Sequence, residues 1–248
     1  MIRLSLSIGL ALAAIVVGYA GAFLTYRATK LGRLEPKLLK APIEWAGDSE
    51  ARCALLMVGD SRIAQWPLEP RPGWRIGKLG FSGETAANIE PSVRAQIAEA
   101  KPTVVVVQAG ANDATAAVFQ GESERRRTIE RAAAAVIATA EDARRAGASQ
   151  VFVLTIAPPN GLELWKRALM SSTQTDVIGA ISDRIVREAG DLGLTTLDAN
   201  RLLRDGEGRL RPEFRRDGMH WSEAAYRALD AALWAAVKPC QSAEPPQR

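Results

Sequence analysis

The chain has 248 residues, 47% of them apolar and 24% charged, which suits one well-packed domain and excludes a low-complexity or repeat protein. Its formal charge of +4 is concentrated at the front, where residues 1–40 hold Arg3, Arg27, Lys30, Arg33, Lys37 and Lys40 against Glu35 alone. The rest is close to neutral and shows no basic face, so nucleic acid is excluded as an expected partner.

From Leu4 to Tyr26 there is no charged residue, a run matching the roughly 20 apolar residues that cross a bilayer core. Ala20-Gly21-Ala22 adds the small residues of a cleavable signal peptide. Residues 1–26 are therefore expected to be a transmembrane anchor or an export signal, with the membrane as a partner. Residues 27–50, with Pro36 and Pro42, read as a tether. Residues 51–240 read as the domain, and 241–248 as a loose polar tail.

Within the domain, short aliphatic runs alternate with longer segments of helical period. The runs are Cys53–Val58, Trp74–Leu79, Thr103–Gln108, Val151–Ile156 and a weaker Leu194–Leu197. The helical segments are clearest at Glu122–Ala146, Asp176–Ala189 and Ser222–Val237. This alternation predicts a five-stranded parallel sheet covered by helices on both faces. The run "TVVVVQ" has no polar alternation, as a strand buried on two sides requires. Ligands of such folds bind at the carboxyl ends of the strands.

The residues leaving those strands are Gly59-Asp60-Ser61, then "GFSGET" from Gly80, then "GANDA" from Gly110. The last helix is preceded by "RRDGMHWSE", which contains His220, the only histidine in the chain. A serine hydroxyl becomes a nucleophile when a base takes its proton, and neutral imidazole is the usual base near pH 7. Asp217 stands three residues before His220, in reach of the other ring nitrogen. An oxyanion would find donors in the Ser61 N–H, the Gly83 N–H and the Asn112 amide. The start of a helix at Ser61 would favour negative charge there, with Asp60 bracing the loop.

These four blocks in order, "GDS", "SGET", "GAND" and "DGMH", resemble those of the SGNH hydrolases, the GDSL-type esterase and lipase superfamily, over about residues 51–237. The resemblance implies a flavodoxin-like three-layer α/β/α fold and a Ser61–His220–Asp217 triad. It also implies an oxyanion hole from Ser61, Gly83 and Asn112, with no metal and no cofactor. The chain departs from the family at Arg62, where a hydrophobic residue is usual; a contact with an acidic substrate and a surface ion pair are the alternatives.

The expected activity is that of a serine esterase on short-chain acyl esters, including an acylated glycan or lipid. Transfer of the acyl group to a cell-surface glycan, and non-catalytic glycan binding, are the other candidates. The loop from Ala157 to Met170 carries Leu162, Leu164, Trp165, Leu169 and Met170, which suit either an acyl pocket or the inner face of a helix. Trp165 and Trp221 are candidate substrate contacts, Trp221 either stacking on a sugar or packing. Compartment signals conflict. Basic residues after the apolar run favour a cytoplasmic domain. Cys53 and Cys240, however, fall at the sheet edge away from the site. They are either a disulfide suited to an extracytoplasmic compartment or two free thiols; export is the preferred expectation.

Overall fold

The computed structural model describes residues 2–157, 164–206, 209–217 and 219–240, with backbone alone for 2–12 and 164–171. Six strands form one sheet in the order β1-β3-β2-β4-β5-β6. They are β1 (Glu44–Gly47), β2 (Cys53–Gly59), β3 (Trp74–Gly80), β4 (Val104–Gln108), β5 (Gln150–Leu154) and β6 (Thr195–Leu197). β2 to β6 run parallel in the flavodoxin-like order, in which the second strand pairs outside the first. The expected five-stranded sheet is corrected to six. β1 pairs antiparallel with β3 through Glu44↔Lys78 to Gly47↔Arg75, so part of the segment read as a tether is the sheet's edge.

Successive strand side chains point to opposite faces, and both faces of this sheet are apolar. Leu56, Val58, Val105, Val107, Val151 and Val153 face one core, with α3 (Ala86–Ala100), α5 (Glu122–Arg145) and α6 (Leu164–Asp191) over them. Leu55, Met57, Val104, Val106, Phe152 and Leu154 face the other, under α2 (Ser61–Ala64), α7 (Ala199–Leu203) and α8 (Glu223–Ala236). The remaining α-helices among the described residues are α1 (Ile2–Gly32) and α4 (Ala111–Ala117), and a 3-10 turn spans Pro212–Phe214.

α1 covers the uncharged run. Its Ile15, Val16, Val17, Tyr19 and Leu24 are exposed, so that stretch is not a core helix. Among the described residues no helix is long and apolar enough to cross a membrane, and the expected transmembrane anchor is without structural support. The polar tail 241–248 lies outside the described residues.

At the opposite edge from the strand ends, β2 begins at Cys53, and α8 returns the chain to the same place. Gln150 at the start of β5 accepts from Lys238 N and donates to Lys238 O. Cys53 and Cys240 form a disulfide with a Cα–Cα distance of 6.0 Å across 187 residues. Closing so long a loop restricts the unfolded chain, an effect worth up to about 5 kcal/mol in the chain-entropy model. Cys53→Ala/Cys240→Ala is expected to lose several kcal/mol in urea unfolding. It should keep its specific activity at low temperature, since the bridge lies away from the strand ends. Equal unfolding midpoints would contradict this.

Candidate active site

β2 leaves the core between β3 and β4, at the point where strand order reverses. Its corner is held from both sides. Phe81 N donates to Gly59 O at 2.8 Å, and Asp60 N donates to Gln108 O at 3.2 Å. Gly59 is required by space, because a Cβ there would collide with Gln108 O. Asp60 caps α2: its Oδ1 accepts from Arg62 N at 3.0 Å, and its carbonyl accepts from Ile63 N and Ala64 N. Bracing by Asp60 is thus observed. Burial pushes its carboxyl up, opposed by the Arg62 charge and the Arg62 N–H. Since α2 is a single turn, few peptide dipoles add up behind Ser61. The expected helix-dipole contribution is correspondingly small, and local donors matter more.

The segment before α8 brings His220 to this corner. Ser222 N donates to Phe214 O, and Ser222 Oγ to Glu213 O; Ser222 also caps α8 by accepting from Ala225 N. His220 Nε2 then stands 3.2 Å from Ser61 Oγ. His220 Nδ1 stands 2.9 Å from Asp217 Oδ2. Asp217 Oδ1 accepts from Met219 N and His220 N, both at 2.8 Å. Partial burial pushes the Asp217 carboxyl up. The bonds from Met219 N and His220, with the imidazole charge, outweigh that and hold it at about 2. Asp217 therefore stays ionised at any working pH and can fix the imidazole tautomer.

Gly83 and Asn112 face the same edge from the β3–α3 loop and α4. Gly83 has φ of 81°, which favours glycine. Asn112 is 5% exposed; its Nδ2 donates to Glu84 O at 3.0 Å, and its Oδ1 accepts from Arg33 Nη1 at 3.4 Å. An amide NH2 has two hydrogens, so one bond to Glu84 O leaves the second for a ligand.

Two expectations change. Arg62 is not at the surface. It is 1% exposed, donates to Ala157 O at 3.0 Å and Met219 O at 3.4 Å, and lies 4.8 Å from the Trp221 ring centroid. Burial lowers its guanidinium, opposed by Asp60. It ties the serine corner to the histidine loop and is shielded from solvent. Trp221 is also 1% exposed, packed edge-on against Trp66 and Tyr226. Sugar stacking on it is ruled out because no ring face reaches solvent. Trp165 falls in α6, but its side chain, like those of Leu164, Leu169 and Met170, lies outside the described residues, as does Leu162 altogether.

Asp113 was not foreseen as a special group. It is 1% exposed, and its Oδ2 accepts from Ala86 N at 2.9 Å, capping α3 in place of Thr85, which makes no side-chain cap. Burial pushes its carboxyl up to about 7 against the bonds from Ala86 N and its own N–H. Since the folded value exceeds the ordinary 3.8, the fold favours the protonated form. That stability is fully present below about 3.8 and lost as pH rises through about 7. Asp113→Asn keeps the acceptor and removes the titration. Its melting temperature should be flatter than wild type between about pH 5 and pH 8; parallel curves would contradict this.

A family model described as GDSL-like lipase/acylhydrolase matches residues 57–228. Among solved structures, a GDSL-like lipase from Bacteroides thetaiotaomicron superposes with a TM-score of 0.60 at 19% identity, covering 86% of this chain and 95% of its own. An aryl esterase from M. smegmatis gives 0.56 at 18% identity, covering 73% and 96%. A carbohydrate acetylesterase from Sinorhizobium meliloti gives 0.55 at 17%, covering 75% and 99%. At these identities the likeness establishes a shared fold. None of the curated proteins matches the chain significantly.

Proposed function

Because the chain belongs to the GDSL-like lipase/acylhydrolase family, we propose that it is a serine esterase acting through an acyl-enzyme on Ser61. Ser61 Oγ attacks the ester carbonyl while His220 Nε2 takes its proton. The Ser61 N–H, the Gly83 N–H and Asn112 Nδ2 receive the oxyanion. The tetrahedral adduct collapses, His220 returns the proton to the departing alcohol, and water repeats the sequence to release the acid. The observation that carries this is the chain of contacts from Asp217 through His220 to Ser61, at 2.9 Å and 3.2 Å. A binding protein has no need for a base opposite a hydroxyl.

A short acyl chain is the proposed substrate class, on a glycan, a lipid or a small alcohol. The disulfide supports action in an oxidising compartment. Purified protein is expected to release p-nitrophenol from the acetyl ester, more slowly from long acyl esters, and without an acceptor. Turnover only with a glycan acceptor would make the protein a transferase. No turnover with any ester would favour glycan binding and sink the esterase.

A further inference from the structure

Gly83 and Asn112 share a neighbour that lies fifty or more residues away in sequence. Arg33 Nη1 donates to Gly83 O at 2.5 Å and to Asn112 Oδ1 at 3.4 Å. The same guanidinium occupies the space of the missing Gly83 side chain, since a Cβ there would collide with Arg33 Nη1. Arg33 is itself held in place. Its carbonyl accepts from Asn88 Nδ2 at 2.9 Å and Thr85 Oγ1 at 3.3 Å. Just beyond, Lys37 pairs with Glu84 at 2.8 Å. Upstream, the rings of Phe23 and Tyr26 meet Phe119 edge-on at 5.8 and 5.9 Å. The last turns of α1 are thus fastened beside the end of α4, and the segment after α1 along the β3–α3 loop.

We propose that Arg33 is a positioning residue of the oxyanion hole, supplied by the segment ahead of the catalytic domain; this rests on the esterase reading above. Glycine is the least constrained residue in backbone rotation, so a hole built on Gly83 needs an outside restraint. The guanidinium gives one by packing on its Cα and bonding its carbonyl. An amide side chain can rotate to exchange its oxygen and nitrogen. Arg33 at Oδ1 and Glu84 O at Nδ2 fix one orientation, which aims the second Nδ2 hydrogen. Arg33 also places a fixed positive charge beside the position where negative charge develops, and this costs no reorganisation during the reaction.

The test uses the full chain. Arg33→Ala is expected to lower kcat about 10- to 100-fold, the size of effect that follows from a misplaced reacting group, with KM nearly unchanged. Arg33→Lys should recover part of the loss, and added guanidinium should partly rescue Arg33→Ala but not Ser61→Ala. The Asn112 side-chain amide resonances should shift and broaden in Arg33→Ala. Unchanged kcat, or a rise in KM alone, would overturn the proposal. An increase in activity would also overturn it, by showing that Arg33 obstructs the hole. If wild-type protein hydrolyses no ester, the esterase reading fails, and the Asn112 amide still decides: unaltered resonances in Arg33→Ala overturn the positioning role.

Discussion

Ser61→Ala is expected to lower turnover of an activated ester by about 10⁴-fold or more, because the reaction loses its covalent route. The same change should hardly affect folding. Ser61 stands on a corner whose backbone bonds are made by Gly59, Asp60 and their partners just past β3 and at the end of β4. Deleting one hydroxyl there leaves those bonds and both cores intact, whereas large losses of stability come from core cavities or stranded charges. Unfolding curves that overlay those of wild type, with activity gone, are the expected pair of results. Substantial residual turnover would end the role given to Ser61.

His220→Ala should cost nearly as much, since an unassisted hydroxyl is a weak nucleophile and triad members act as a unit. The double variant with Ser61→Ala should be no worse than either single one. His220 is the only histidine, so modification by diethyl pyrocarbonate should remove activity in proportion to one imidazole. Its partner Asp217 is held at about 2. Its depressed value contributes stability above the ordinary 3.8, lost as pH falls toward about 2. Activity surviving full modification would exclude His220 as the base.

The features legible in the sequence were local. "TVVVVQ" has to be a doubly buried strand, and the residues that leave β2, β3 and β4 had to meet at one edge once the sheet was parallel. Meeting of Cys53 and Cys240 followed from strand and helix direction, and only the structure chose between bridge and free thiols. β1 was hidden because four residues, Glu44 to Gly47, gain strand character from pairing with β3 and not from their own composition. Of the two alternatives for Trp221 the structure shows packing, whereas Arg62 was misplaced. A guanidinium ordinarily signals surface, but here two loop carbonyls and the Trp221 ring receive it in the interior. Arg33 carried no local signal, since its partners lie far along the chain. Asp113 did carry one, as the lone carboxylate in the alanine-rich "ANDATAA".

The most direct test of the central claim is a covalent one. Full-length protein treated with a fluorophosphonate should gain a single adduct, which peptide mass spectrometry should place on Ser61, with inactivation tracking labelling. The Ser61→Ala and His220→Ala variants should remain largely unlabelled. A stoichiometric adduct on another residue, or ester turnover that persists in fully labelled protein, would contradict the assignment of Ser61 as the nucleophile.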